Sequence, residues 1–255
     1  IMTSHGQLFE KISKTKNVQE TLIEQRDTHP YIEAWKNPNM PVIQRKLVDF
    51  ELNELKNNGK TFEVYEALKT ALDLLFKDKA LKDLKNVSIL DVGCSTGYYY
   101  DVIKHYYPDK NITYVGCDYN EKSIELAKKY NENVAFEVQD ATELKYPEKV
   151  FDIVLASGIL TYVPDTYRLL DSITKVCKHY VILHRVNIRK QPFILKSYVY
   201  DNEVIKKYFT VERIKRLMGD RRKFQYAYGQ MIYPQNPYSA IFIFRRDYFA
   251  DAVSM

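Results

Sequence analysis

The sequence predicts an α/β protein with a doubly wound, mostly parallel sheet and helices on both faces. From Ser88 onward, apolar segments of strand length alternate with segments that have helical periodicity. The apolar segments, such as SILDV and FDIVLAS, are continuous runs, which is typical of parallel strands covered on both faces. The first of them leads into a glycine-containing turn, GCSTG. In such sheets, ligands bind beyond the carboxyl ends of the strands.

The composition predicts a folded protein with one large domain, or one domain with an attached cap. The chain has 255 residues, 45% of them hydrophobic and 28% charged, with a net charge of +5. No apolar run approaches the roughly 18 residues of a membrane helix, and no signal segment opens the sequence. Three scattered cysteines do not form a disulfide or zinc pattern. We therefore expect a cytoplasmic protein without membrane association and without a metal.

Residues 1–85 are predicted to be a helical N-terminal region. The segment MPVIQRKLVDFELNELKNNG has apolar residues near helical spacing and stops at Gly59. The segment TFEVYEALKTALDLLF repeats the pattern. Between Arg26 and Gln44, three prolines predict a loop or short helices.

Residues 86–255 carry the alternating pattern. Five strands are predicted, in VSILDV, NITYVGCD, VAFEVQD, VFDIVLAS and HYVILHR, with helices over 98–107, 121–130 and 165–176. A tyrosine-rich insertion at about 186–209 follows the fifth strand and leads to a short helix ended by Gly219. Two late strands, KFQYAYGQ and SAIFIFRR, are joined by a segment of hairpin length.

Glycines and polar residues stand where the first four strands end. Gly93 allows a sharp turn, and Gly97 allows the backbone to approach a ligand closely. Asp118 ends the second strand, roughly 20 residues after Gly97, where an acid can accept the hydroxyls of a ribose. Asp140 ends the third strand and can accept a hydrogen bond from an adenine amino group. The fourth strand ends at 157–158, where the far end of the ligand would lie.

Two other kinds of nucleotide site are disfavoured. A dinucleotide-binding turn needs glycine at the position of Tyr98, so that helix and strand pack closely. A P-loop needs Gly-Lys followed by Ser or Thr, and no such sequence follows this turn.

The four strand ends together resemble those of the class I S-adenosylmethionine-dependent methyltransferases, which are Rossmann-like. The matching segments are ILDVGCSTG, YVGCD, VQDATEL and FDIVLASGILTYV. The resemblance is strong over about residues 86–185 and points to a little-characterised bacterial type that acts on small molecules. It implies a seven-stranded sheet of order 3-2-1-4-5-7-6 and an N-terminal helical lid. It also implies S-adenosylmethionine as the cofactor and S-adenosylhomocysteine as the product. One departure is Ser95, where the family often has glycine, but a small residue is tolerated there.

The resemblance also implies which residues contact the cofactor. Asp91, Gly93 and Gly97 surround the methionine part, Asp118 the ribose, Asp140 the adenine amine, and Ser157 the sulfonium side. The other predicted cofactor contacts are Cys94, Ser95, Tyr98, Tyr119, Ala141, Gly158 and Arg45. Arg45 either binds the carboxylate of the cofactor or is a solvated side chain, and Trp35 is either a pocket residue or part of the core.

The fifth strand ends in VILHR and supplies the candidate catalytic residue, His184. Imidazole titrates near neutral pH and suits a general base, while the alternative is a strand-end histidine bonded to backbone. Arg185 can pair with a carboxylate or phosphate of the acceptor. The predicted substrate contacts are Tyr31, Trp35, Tyr162, Arg185, Tyr198 and Tyr200.

We therefore expect methylation of a small-molecule acceptor, at the oxygen of a saccharide, phosphorylated or carboxylated metabolite, by a monomer or homodimer. A second hypothesis is an RNA or protein methyltransferase that uses the basic cluster at 213–223. Such a run is more often a solvated helix face, and ASGIL replaces the Asn-Pro-Pro-Tyr motif of base methylation, which disfavours nucleic acid. A third hypothesis is a cofactor-binding partner subunit that has lost catalysis.

Overall fold

The computed structural model describes residues 21–22, 24–219, 222–233 and 238–247. The α-helices in these ranges are α1 (Asn39–Asn58), α2 (Glu63–Lys77), α3 (Tyr98–Tyr106), α4 (Glu121–Tyr130), α5 (Ile159–Tyr162), α6 (Thr166–Val176) and α7 (Val211–Gly219). The strands are β1 (Thr21–Leu22), β2 (Val87–Val92), β3 (Ile112–Asp118), β4 (Ala135–Val138), β5 (Phe151–Ser157), β6 (Cys177–Asn187), β7 (Phe193–Val199), β8 (Asn202–Tyr208), β9 (Phe224–Met231) and β10 (Ser239–Arg246). Short 3-10 helices cover Gln25–Asp27, His29–Lys36 and Ala141–Glu143.

The main sheet has seven strands in the order β4-β3-β2-β5-β6-β10-β9. Counted in chain order within this sheet alone, the order is 3-2-1-4-5-7-6. The first five strands pair in parallel, and β10 is antiparallel to both β6 and β9. The predicted fold class, an α/β sheet with helices on both faces, is confirmed.

The apolar strands explain why both faces of this sheet are covered. Successive residues of a strand point to opposite faces. Ile89 belongs to one buried cluster, together with Leu52 of α1 and Leu68 of α2. Its neighbour Leu90 belongs to a second cluster, together with Leu169 of α6. A continuous apolar strand therefore supplies both cores at once.

The register of the parallel strands brings their carboxyl ends to one edge. Val92 of β2 lies opposite Cys117 of β3 and Ala156 of β5. Ser157, the last residue of β5, lies opposite His184 of β6. The polar residues that follow these strands are therefore grouped beside one another.

The N-terminal region differs from the prediction at its described start, while residues 1–20 and 23 lie outside the described ranges. Thr21–Leu22 forms a strand and not a helix, because it pairs with the edge of β7. Short helices occupy the proline-containing segment, as predicted. Helix α1 ends at Gly59, whose φ of +64° is the left-handed conformation that glycine adopts at helix ends.

The insertion at about 186–209 forms a β-hairpin, whose strands were not predicted from the sequence. β7 and β8 pair antiparallel and, with β1, form a separate three-stranded sheet. The turn consists of Tyr200 and Asp201, both at positive φ, +48° and +62°. This is the conformation required by a two-residue hairpin turn that matches strand twist.

Two further features concern the described ranges as a whole. None of their helices combines the length and apolar character needed to cross a membrane. No group of three or more His, Cys, Asp or Glu in them is placed to hold a metal ion. Of the basic cluster at 213–223, Arg221 lies outside these ranges, as do residues 234–237 between the two late strands.

Candidate functional site

A cavity of about 440 Å³ lies at the carboxyl ends of strands β2 to β5. Its walls come from segment 29–44, the turns after these strands, Arg185 and the tip of the β7–β8 hairpin. The predicted residues that line it are Trp35, Gly93, Ser95, Tyr98, Asp118, Tyr119, Asp140, Ala141, Ser157, Gly158, Tyr162, Arg185 and Tyr200. The structure therefore brings most of the predicted cofactor and acceptor residues into one space.

The turn after β2 is built around two glycines with positive φ. Gly93 has φ +74°, and its N–H donates to the carbonyl of Cys117 at 2.8 Å. Gly97 has φ +73°, and a Cβ there would lie 2.6 Å from Cζ of Phe136. Gly97 is thus required both by its backbone conformation and by the packing of Phe136 beneath the turn.

Ser95 occupies the position where the resemblance leads one to expect glycine. Its φ is +49°, so it adopts the left-handed conformation as a non-glycine residue. Its N–H donates to Oδ2 of Asp118 at 2.9 Å, and its hydroxyl donates to Oε1 of Gln44. These bonds hold the turn, the end of β3 and helix α1 together.

Asp118 lies at the centre of this arrangement. Its Oδ1 accepts the N–H of Asn120 at 2.8 Å, and its Oδ2 accepts that of Ser95. Burial raises the pKa of Asp118, and these backbone donors oppose that rise. Two fixed N–H donors orient the carboxylate at the cavity wall, where it can accept hydroxyl donors from a ligand.

Asp91 lies fully buried, behind the cavity wall. The hydroxyl of Tyr114 donates to its Oδ2, whereas its Oδ1 has no hydrogen-bond partner among the described residues. Burial raises the pKa of Asp91 to about 7, although the Tyr114 hydrogen bond opposes this effect. A buried acceptor without a partner is costly, and a ligand amino group would pair with this atom only after the cavity wall in front of it moves.

Asp140 and Ala141 form the wall after β4. Asp140 is exposed, and its Oδ1 accepts the N–H and the hydroxyl of Thr142 at 2.8 and 2.7 Å. Ala141 beside it is buried. A fixed carboxylate next to an apolar surface suits the edge and face of a purine.

His184 lies outside the cavity lining and is fully buried. Its Nδ1 lies 3.0 Å from Oγ of Ser157 and 3.3 Å from the hydroxyl of Tyr99. Its Nε2 lies 3.1 Å from the carbonyl of Val64. Burial, followed by the charge of Arg185, lowers the pKa of His184 to about 3. To act directly as a general base, His184 would have to exchange one of these bonds for one to the acceptor.

Arg185 is a cation of the cavity lining. It is half-buried, with φ +57°, and it shares the lining with Tyr98, Tyr162 and Tyr200. No ion pair joins it to an acidic side chain of the described residues. A partly buried guanidinium without an anionic partner is a favourable site for a ligand anion.

Aromatic side chains also line the cavity. The rings of Trp35 and Tyr162 are 4.6 Å apart between centroids. Nε1 of Trp35 is buried and has no hydrogen-bond partner among the described residues. Tyr200 reaches this space from the hairpin tip. This part of the wall is therefore largely aromatic, with one N–H donor that is unpaired among the described residues.

Several predicted residues lie outside the cavity lining. Arg45 of helix α1 is buried against the turn after β2. Its Nε donates to Asp49 at 2.7 Å, and its Nη1 donates to the carbonyl of Thr96 at 3.3 Å. Its guanidinium lies 3.6 Å from the centre of the Tyr130 ring. Tyr198 is 40% exposed, and its hydroxyl donates to Glu203 at 2.9 Å. Also outside the lining are Tyr31, Asp91, Cys94, Gly97 and His184.

Gln44 and Asn120 are among the cavity residues that lie outside the predicted set. Gln44 contacts Ser95, one position along α1 from Arg45. Asn120 caps α4 by accepting the N–H groups of Lys122 and Ser123. Its Nδ2 also donates to the carbonyls of Trp35 and Asn37, at 2.6 and 3.1 Å. An asparagine that begins a helix is visible in the sequence, but its bonds to a distant segment are not.

Comparisons with known proteins agree with this geometry. The sequence profile of a family described as a methyltransferase domain matches residues 83–227. The chain is 22% identical over 192 residues to malonyl-[acyl-carrier protein] O-methyltransferase 2 of Ilyobacter polytropus. The aligned residues cover 71% of this chain and 71% of that protein. It is 29% identical over 131 residues to malonyl-[acyl-carrier protein] O-methyltransferase of Acetivibrio thermocellus, covering 49% of this chain and 43% of that protein.

Solved structures show the same fold. The chain resembles 1,6-didemethyltoxoflavin-N1-methyltransferase of Burkholderia thailandensis, with bound S-adenosylhomocysteine, at a TM-score of 0.59 and 15% identity, over 91% of this chain and 97% of that one. It also resembles magnesium protoporphyrin IX methyltransferase of Synechocystis, with bound SAH, at a TM-score of 0.55 and 15% identity, over 78% and 99% of the two chains.

Proposed function

Because this chain belongs to the methyltransferase domain family and is an S-adenosylmethionine-dependent methyltransferase, we propose that it methylates a carboxylate oxygen of a small-molecule acceptor. The cofactor supplies a methyl group on a positively charged sulfur. The protein then has to hold the acceptor oxygen in line with that methyl group and exclude water.

The surroundings of the Arg185 guanidinium are the observation that carries the proposal. Its guanidinium lines the cavity beside an aromatic wall and has no acidic partner among the described residues. A guanidinium binds a carboxylate through two parallel hydrogen bonds, which fixes the orientation of the acceptor as well as its charge.

The titratable groups around Arg185 favour an acceptor that needs no base. Burial raises the pKa values of Tyr98, Tyr99 and Tyr162, and raises that of Tyr200 to about 12. These phenols stay protonated at neutral pH, and His184 is enclosed by its own hydrogen bonds. A carboxylate is already ionised and attacks directly, whereas the hydroxyl of a saccharide must lose a proton.

The cofactor assignment uses the strand-end residues. We propose that Oδ1 of Asp91 accepts from the amino group of the cofactor, that Asp118 accepts from its ribose, and that Asp140 accepts from its adenine. These roles are supported by the Oδ1 of Asp91, which has no partner in the described part of the chain, and by the two N–H donors that orient Asp118. The two relatives named as O-methyltransferases of malonyl-[acyl-carrier protein] support O-methylation of a carboxylated acceptor.

The experiment is a screen of carboxylic acids, with each acid's alcohol analogue, using S-adenosylmethionine labelled in the methyl group. A methyl ester releases its label as volatile methanol in mild base, whereas an ether or a methylamine retains it. We expect base-labile product from one or more acids and none from the alcohols. A product whose label resists base would overturn the carboxylate assignment.

Variants of Arg185 test its role with the best acid found. Arg185→Gln is expected to lower kcat/KM at least 100-fold, mostly by raising KM for the acid, because it removes a charged hydrogen bond of about 3 kcal/mol. Arg185→Lys keeps the charge but not the planar fork, so its loss is expected to be smaller. Arg168→Gln, which removes an exposed arginine from the cavity rim, is the matched control. An unchanged KM in Arg185→Gln would contradict the proposal.

A further inference from the structure

Three side chains from α3, β5 and β6 form a group of hydrogen bonds at the cavity wall, and the hydroxyl of Tyr98 is hydrogen-bonded to that of Tyr99. The Oγ of Ser157 lies 2.9 Å from the hydroxyl of Tyr99 and 3.0 Å from Nδ1 of His184. The Tyr99 hydroxyl lies 3.3 Å from the same Nδ1. Tyr99 and His184 are buried outside the lining, so Ser157 is the member of the group that borders the cavity.

The protonation of His184 follows from its partners. Its Nε2 lies 3.1 Å from the carbonyl of Val64, and a carbonyl can only accept, so Nε2 carries a hydrogen. Burial, with the charge of Arg185, keeps the ring neutral, so Nδ1 is a bare acceptor. The groups that face the ring are Tyr99 from α3, Arg185 and Ser157 from the strand ends, and the Val64 carbonyl from α2.

The direction of the Ser157 hydroxyl then follows from counting hydrogens. Tyr99 and Ser157 have one hydroxyl hydrogen each, and Nδ1 of His184 accepts one of them. If Ser157 bonds to His184, its hydrogen is used there. If Tyr99 bonds to His184, the Ser157 hydrogen is donated to the Tyr99 oxygen. Ser157 is therefore left with only oxygen lone pairs for the cavity.

We propose that His184 is a positioning residue that holds Ser157 as a hydrogen-bond acceptor toward the cavity, so that the site prefers a sulfonium ligand over its neutral thioether. An oxygen lone pair attracts the positive charge of a sulfonium and the polarised C–H groups beside it. The neutral thioether carries no such charge, so it gains less from the same contact. This inference rests on the cofactor assignment of the proposed function, with the sulfonium at Ser157 as the family resemblance implies, and is independent of the acceptor. A preference of this kind favours release of the product after transfer.

The test compares the Kd values of S-adenosylmethionine and S-adenosylhomocysteine, measured by calorimetry at pH 7.5 without any acceptor. We expect Ser157→Ala to reduce the ratio of the two Kd values by about two- to fivefold, the effect of one weak contact to a cation. His184→Leu should reduce it equally, because the Ser157 hydrogen is then free to turn toward the cavity. His184→Gln should keep the ratio, since its amide oxygen accepts from Ser157 and its NH₂ donates to Val64.

His179→Gln is the matched control, because His179 lies on the same strand near its other end. If His184→Leu does not fold, the Kd ratios of Ser157→Ala and His184→Gln still test the proposal. An unchanged ratio in Ser157→Ala overturns the proposal, as does an equal loss in His184→Gln and Ser157→Ala. In the wild type, the ratio should stay constant from pH 6 to 9, and a titration near the ordinary histidine pKa would contradict the neutral ring. Failure of both ligands to bind would instead contradict the cofactor assignment.

Discussion

At the scale of single residues, the buried carboxyl group of Asp91 makes the stability of the protein depend on pH. Its carboxylate is buried, one of its oxygens has no partner within the described ranges, and burial raises its pKa to about 7. The folded protein therefore holds a proton on Asp91 at pH values where the unfolded chain has released it. The contribution of Asp91 to stability is fully present below its unfolded pKa and is lost as the pH rises toward 7.

Asp91→Asn is expected to weaken this pH dependence. Between pH 5 and pH 7, the free energy of unfolding of the wild type should fall by about 2 kcal/mol more than that of the variant. Urea unfolding without cofactor at the two pH values measures both differences. Equal pH dependence in the two proteins would show that Asp91 has no raised pKa.

The strand-end acids could be predicted from the sequence, but their companions on the N-terminal helices could not. Asp118 and Asp140 follow apolar strands directly, and the register of a parallel sheet places all such positions at one edge. Arg45 and Gln44 are neighbours on one helix, and only the rotation of α1 against the turn decides which of them reaches the cavity. That rotation depends on tertiary packing, which periodicity alone does not supply.

At the scale of elements, the segment 29–37 is held over the cavity by a few polar contacts. Asn120 donates to the carbonyls of Trp35 and Asn37, and Asn37 donates to Asn202 of the hairpin at 2.6 Å. The side chain of Gln25 donates to the carbonyl of Pro164 at 2.8 Å. We propose that this segment is the lid of the cavity.

Asn120→Asp separates the two roles of Asn120. An aspartate keeps the cap of α4 but places an oxygen where the amide donated to two carbonyls. We expect faster amide hydrogen exchange in residues 29–37, little change in α4, and several-fold weaker binding of S-adenosylhomocysteine. Hydrogen-exchange mass spectrometry measures the first two effects, and the exposed Asn57→Asp is the control. Unchanged exchange in 29–37 would mean that Asn120 does not hold this segment.

The hairpin shows why one element escaped prediction. The strongest hairpin signal is Asn-Gly or Asp-Gly between alternating strands, and here the turn is Tyr200-Asp201, with both residues at positive φ. Non-glycine residues rarely adopt that conformation, so the sequence gives no sign of it.

At the scale of the whole molecule, the cavity is shared between the sheet edge and segments far apart in the chain. A ligand that binds there stabilises all of them together. At a concentration of 100 times its Kd, such a ligand adds about 2.7 kcal/mol to the free energy of unfolding.

We therefore expect S-adenosylhomocysteine at that concentration to raise the Tm by about 5 to 10 °C. NAD⁺ at the same concentration should leave the Tm unchanged, because Tyr98 stands where a dinucleotide turn has glycine. Differential scanning fluorimetry measures both shifts. An equal shift with NAD⁺ would point to a general nucleotide site.

The contacts of segment 29–37 also set when the cavity is completed during biosynthesis. Asn37 is separated by 165 positions from its partner Asn202, and Gln25, which precedes the segment, by 139 positions from Pro164. At roughly 5 to 20 residues per second, a ribosome needs about 10 to 30 s to add the residues between Asn37 and Asn202. A nascent chain released before that point has the strand-end acids but no closed cavity. Binding of the cofactor thus reports that translation has passed the hairpin.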